Sequence, residues 1–225
     1  MARLGKTNRN MRISGILFCA FVLLILLVKI IDVKPIGPNW TRVGFAALNG
    51  LFMKIGYHPF WYMLTEVLGV LAIVVAACFA ALGVYQLIKR KKIGAVDGDI
   101  VLLGFIYVLT ILVYLFFEAC VVNFRPVMLG ETLEASFPSS HTVLAIVVFA
   151  TAIVQVRRRL PEGQTKTIAI YVLYALLVLV IVGRILSGVH WITDICGGVL
   201  IGFCLSCLYK GILDSFEKSS GAHSS

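Results

Sequence analysis

A chain of 225 residues that is 60% hydrophobic and 14% charged, with a mean hydropathy of +0.98, carries more apolar surface than a soluble core of this size can enclose. An ordinary soluble domain is excluded, and the expected solvent is a bilayer. The formal charge of +9 does not point to nucleic acid: Lys and Arg fall in short clusters between apolar runs, without the interleaved aromatics of a single-strand binder. They read as topology signals and headgroup contacts.

In chain order, runs long enough to cross the hydrocarbon, which takes roughly 20 residues, are expected at 13–31, 60–87, 100–117, 142–156, 167–185 and 192–209. The fold class is therefore all-α, a polytopic membrane protein of six transmembrane helices forming one domain over 1–225. Arg3, Lys6, Arg9 and Arg12 precede the first span, Lys89 to Lys92 follow the second, and Arg157 to Arg159 follow the fourth. Basic loops are retained in the cytoplasm, so this alternation predicts that both termini lie inside. The loop 32–59, with scattered Lys34, Arg42 and Lys54, votes weakly. The loop from Glu118 to His141 holds three acids against one arginine and suits the outer face.

The first span is kept as a helix rather than a removable leader, because no small-residue cleavage pattern follows it and Phe18 before Cys19 is a poor lipoprotein site. Lys29 is expected to snorkel to the interface. The polar tail after Lys210 is expected to fray. Cys204 and Cys207 have a C-x-x-C spacing but no second pair or histidine beside them, so packing is the expectation. Gly198, Gly202 and Ser206 follow the small-xxx-small pattern of close helix contact. Asn39-Trp40-Thr41 is a glycosylation triplet that matters only in a eukaryotic secretory pathway, and His58 reads as an interfacial loop residue. No internal repeat or low-complexity block is visible.

Ionisable groups are expensive near hydrocarbon, so those that remain are functional candidates. His190 and Asp194, four apart at the start of the last span, share a helical face, where a carboxylate can take the proton-bearing ring nitrogen and leave the other nitrogen as a nucleophile. Taken alone, the same pair is equally a buried His-Asp contact that satisfies itself. Arg184 ends the fifth span, where a lone guanidinium ordinarily snorkels. Pro138-Ser139-Ser140-His141 opens the fourth span, with proline in the first helical turn and the free amides of the residues after it forming an anion cradle. The bland alternative is an ordinary serine cap and an interface histidine. Arg125, before Pro126, is turned away from helical geometry, and a guanidinium suits a phosphate face.

The set resembles the type 2 phosphatidic acid phosphatase superfamily, membrane lipid phosphate phosphatases with the blocks K-x6-R-P, P-S-G-H and S-R-x5-H-x3-D. Arg125-Pro126, Pro138-Ser139-x-His141 and Arg184-x5-His190-x3-Asp194 agree in order and internal spacing, within blocks 118–126, 138–141 and 183–194. The resemblance implies that His190 attacks phosphorus to give a phosphohistidine, Asp194 orients it, and His141 protonates the leaving alkoxide and then activates water. Arg125, Arg184, Ser139 and the Ser140 amide would hold the phosphoryl oxygens. The scheme implies no metal and no cofactor. The partners implied are a lipid phosphate and the bilayer, with an extracytoplasmic site reached laterally between helices.

Three positions depart from the pattern. Glu118 stands where the lysine belongs, Gly183 replaces serine, and Ser140 replaces glycine while keeping its amide. Glu118 is expected either to pair with Arg125 or Arg184 or to meet a cationic or hydroxylated headgroup, and Lys34, Arg42 or Lys54 is a candidate to replace the lost charge. The expected activity is hydrolysis of a lipid phosphomonoester of the phosphatidic acid or phosphatidylglycerophosphate type. The alternatives are an undecaprenyl or other polyprenyl diphosphate phosphatase, and a non-catalytic lipid-phosphate binder or transporter. Transporters tend to show broken helices or repeated halves, and neither is visible here.

Overall fold

The structure, a computed structural model, describes residues 9–221. Among them are seven α-helices: α1 (Arg9–Ile30), α2 (Ala46–Met53), α3 (Pro59–Arg90), α4 (Gly98–Ala119), α5 (Ser140–Arg159), α6 (Gln164–Ser187) and α7 (Ile192–Gly221). All but α2 are long and apolar enough to cross a membrane. They stand at the six expected places, most of them a few residues longer. Arg3 and Lys6 lie outside the described residues. The tail after Lys210 is not frayed at its start, because α7 continues to Gly221.

Lipid is as apolar as leucine, so helices in a bilayer are held by close packing rather than by escape from water. That rule separates inner helices from outer ones. In α5, 61% of the apolar window is buried within the protein, and in α7 56%, against 17% in α1 and α3. The small residues of α7 make the contact: Gly198 faces Thr142 and Gly202 faces Ile146 on α5. Cys204 is buried against Ser14 of α1, with Ser14 Oγ donating to its carbonyl at 2.9 Å, so this cysteine packs. Phe21 on α1, Phe117 on α4 and Phe137 in the loop before α5 form an aromatic cluster with ring centroids 5.7 to 5.8 Å apart. That cluster anchors the loop from which α5 starts.

The two ends of the bundle are both polar. At one end, Asp99 at the start of α4 accepts hydrogen bonds from Arg159 at 2.9 Å, Gln155 at 3.2 Å and Arg158 at 3.4 Å, while Arg90 pairs with Asp97 at 2.7 Å. At the other end, the loops 120–139 and 188–191 meet the first turns of α3, α5 and α7. Lys29 reaches this end of α1 and donates to the Val122 carbonyl at 3.1 Å. The short helix α2 packs here on α7, where buried Asn49 donates to Thr193 Oγ1 at 3.1 Å.

Candidate active site

Every block found in the sequence converges on the second polar end. An isolated bridge between Phe124 and Ala135, with Arg125 N donating to the Glu134 carbonyl at 3.0 Å and Ser136 N to the Asn123 carbonyl at 2.9 Å, closes the loop 120–139 on itself. This brings Asn123, Arg125 and Ser136 side by side. Trp191 Nε1 donates to the Phe124 carbonyl at 2.7 Å and docks that loop against the start of α7.

His190 lies in the turn between α6 and α7 with its ring buried. Its Nε2 is 2.9 Å from Nη2 of Arg184. Arg184 does not snorkel: it is fully buried, with Nη1 donating to Thr65 Oγ1 and Glu66 Oε1 of α3, each at 3.1 Å, and its guanidinium over the Tyr62 ring. Gly183 makes this approach possible, since a Cβ there would come within 2.6 Å of Thr65 Cγ2. The glycine that stands in place of the serine of the resembled pattern therefore serves the packing of α6 on α3. Glu66 Oε1 also lies 3.3 Å from His141 Nε2, so one arginine–glutamate pair spans the two histidines. Burial, then the charges of Arg184 and Arg125, holds the His190 imidazole well below the usual histidine value, leaving it neutral.

Four expectations need correction. Asp194 is buried and fully engaged, but its Oδ2 is 3.9 Å from His190 Nδ1, too far for the direct hydrogen bond that the spacing suggests. Pro138 is not in the first helical turn; α5 begins at Ser140, with Ser139 as the residue before it. Ser139 is fully buried, its amide donates to the Asp194 carbonyl at 3.0 Å, and its Oγ accepts from Thr142, so it does not face the cavity as Ser140 does. Glu118 pairs with neither arginine. Arg125 meets Glu134 at 2.9 Å and Arg184 meets Glu66, while Glu118 is exposed and, among the described residues, in no ion pair.

A cavity of about 570 Å³ joins these groups to the bilayer region. Glu66, Glu118, Arg125, Ser140, His141 and His190 line its polar head, and Ile73, Ala76, Tyr107, Ile111, Val147 and others its apolar body between α3, α4 and α5. Lys34, Arg42 and Lys54 are not on its wall, and Lys34 is paired with Asp32 at 2.8 Å, so the first loop does not replace the lost lysine. His58 is an exposed loop residue before α3, as expected. The buried atoms Nη1 of Arg125, Nδ1 of His141 and Nε of Arg184 have no hydrogen-bond partner among the described residues. The two guanidinium nitrogens are donors left without an acceptor.

The sequence blocks pass over Glu66, Thr65 and Tyr62 of α3 and over Asn123 and Ser136. Glu66 has a signal: it is the lone charged side chain in the run 60–87. Asn and Ser in a loop carry none.

Six membrane-length helices with a histidine- and arginine-lined head to an apolar cavity define the class as a polytopic membrane protein with a polar site at one end. The family model described as the PAP2 superfamily matches residues 120–216, so this stretch is similar to that superfamily. Phosphatidylglycerophosphatase B of Bacillus subtilis (strain 168) is 31% identical over 84 residues, 37% of this chain. The match spans 41% of the length of that relative. The crystal structure of a transmembrane PAP2-type phosphatidylglycerolphosphate phosphatase from Bacillus subtilis superposes with a TM-score of 0.64 at 21% identity, covering 90% of this chain and 96% of that one. The crystal structure of Aquifex aeolicus LpxE aligns with a TM-score of 0.45 at 24% identity, over 73% of this chain and 95% of that one. The chain is a multi-pass membrane protein that shares the fold of that transmembrane phosphatase from Bacillus subtilis.

Proposed function

We propose that this chain, as one integral-membrane domain, hydrolyses the phosphomonoester of a membrane lipid, of the phosphatidic acid or phosphatidylglycerophosphate type. The observation that carries the reading is the address of two imidazole Nε2 atoms to one ion pair, buried Arg184 with half-exposed Glu66, at the polar head of an apolar cavity. The name of the Bacillus relative supports the substrate class.

In this reading the lipid chain enters between α3 and α4, and the phosphate reaches Arg125, Arg184 and the Ser140 amide. Glu66, whose side chain is 36% exposed, withdraws from the anion site as the phosphate arrives. His190 Nε2 attacks phosphorus, the P–O bond to the lipid breaks, and His141 gives its proton to the departing alkoxide. His141, now a base, takes a proton from water. The hydroxide forms a new P–O bond, the P–N bond breaks, and phosphate and neutral His190 are regenerated. Each step is assigned to a side chain, so turnover is expected to persist in a chelator.

The acidic loop 118–141 and the alternation of basic clusters support an extracytoplasmic site with both termini inside. Glu66 and Glu118 on the cavity wall favour a monophosphate over a diphosphate, because each further negative charge meets like charge there.

The test is phosphate release by the purified protein from phosphatidic acid, phosphatidylglycerophosphate and a polyprenyl diphosphate, beside His190→Gln. The wild type should act on the monophosphates, and the variant should lose at least about 10³-fold in kcat while keeping its melting temperature. Equal activity in the variant would overturn the mechanism, and preference for the diphosphate would overturn the substrate class.

A further inference from the structure

The carboxylate expected to steer His190 does not touch it, and another side chain fills the gap. Ser136 Oγ lies 3.0 Å from His190 Nδ1 and 2.5 Å from Asp194 Oδ2, across the 3.9 Å that separates ring and carboxylate. Ser136 and Asp194 are buried, and so is the His190 ring.

The donor inventory permits one arrangement of hydrogens. Arginine has donors only, so Nη2 of Arg184 at 2.9 Å requires His190 Nε2 to be the acceptor, bare of hydrogen. The hydrogen of the neutral ring is then on Nδ1, pointing at Ser136 Oγ. Asp194 receives two fixed donors, Asn123 Nδ2 and the Trp191 amide, each at 3.0 Å, as an acceptor-only carboxylate would. The serine hydroxyl hydrogen therefore goes to Asp194, and the oxygen is left to accept from the ring.

We infer that Ser136 is a positioning residue through whose hydroxyl Asp194 acts on His190. The chain Asp194–Ser136–His190 holds Nδ1 protonated and turns the Nε2 lone pair toward Arg184 and the cavity. When Nε2 bonds to phosphorus the ring becomes cationic with its Nδ1 hydrogen in place, and the hydroxyl passes the carboxylate's field to it. This role rests on the reading of His190 as the nucleophile. Ser136 lies two residues before Pro138, outside the sequence blocks.

A double-mutant cycle on the full-length protein tests it, with phosphate release from the best lipid monophosphate as the readout. Ser136→Ala should lower kcat about 30-fold with KM within about 2-fold, and Ser136→Thr should keep most of the rate. Asp194→Asn should cost about 10²-fold in the wild-type background but under about 3-fold in Ser136→Ala. Equal cost of Asp194→Asn in both backgrounds would overturn the inference, as would an undiminished kcat in Ser136→Ala. A second measurement is independent of turnover. In ¹⁵N-histidine-labelled protein, the His190 hydrogen should be on Nδ1 with a downfield proton resonance that moves upfield in Ser136→Ala and stays in Ser136→Thr. A hydrogen on Nε2, or an unmoved resonance, would overturn it. Should the wild type release phosphate from no lipid, the proposed activity falls, and the NMR measurement still decides the hydrogen-bond chain.

Discussion

The two polar ends of the bundle are built from the same residue types and do opposite things with them. At the far end, the arginines of α3 and α5 are met by Asp97 and Asp99, with Gln155 holding both Asp99 and Tyr209, so the cluster is internally answered. At the site end, Arg125, His141 and Arg184 each keep a buried nitrogen without a hydrogen-bond partner among the described residues. Buried donors left open cost stability, about 1–3 kcal/mol each, and a protein retains them where a ligand supplies the missing acceptor. One cluster fastens helices, and the other keeps nitrogens open, as the proposed phosphate site requires.

Substitutions can break this contrast. Arg184→Lys keeps the charge but loses the fork that reaches Thr65, Glu66 and His190 together, and should lower kcat about 10²-fold with little change in melting temperature. A large loss of stability instead would make Arg184 a fastener like Arg159. Asp99→Asn, at the other end, should cost about 1–2 kcal/mol of stability and leave kcat/KM within about 2-fold. A tenfold loss of rate there would show the ends to be coupled.

Finer effects concern charge. Glu118→Lys places a cation on the cavity wall and should tighten inhibition by inorganic phosphate about 3- to 10-fold, whereas unchanged inhibition would turn Glu118 away from the phosphate. The histidine charge state gives the smallest test. Burial and the two guanidiniums depress the His190 value, and a depressed histidine stays neutral until the pH falls well below 6.5. Its ring ¹⁵N shifts should therefore keep the neutral pattern at pH 6, and a half-protonated ring at that pH would contradict the burial argument.

The six long helices are legible in the sequence because continuous apolar runs leave a bilayer as their one solvent, and the site-bearing end is legible because ionisable residues interrupt those runs. The helix α2 is not, since eight residues in a loop give too short a pattern to separate from a turn. Arg125, His141, Arg184, His190 and Asp194 come together as their spacing suggests, but spacing along a helix could not show that Asp194 falls short of His190. That gap depends on the turn 188–191 and on a loop folded back from residue 120, which no local periodicity records. Glu66 is visible as a lone charge in an apolar run, yet it stands more than fifty positions before the first block, and only the packing of α6 on α3 joins it to Arg184.

The inner place of α5 bears on biogenesis. Its mean hydropathy is 1.6, the lowest of the six, against 2.8 for α1, α3 and α4, because its neighbours are other helices rather than lipid tails. A segment so weakly oily partitions reluctantly from the translocon on its own. Synthesis delivers α3 and α4 first, and both pack on α5 in the finished fold, so they offer the nascent α5 a proteinaceous surface to settle against as it leaves the ribosome.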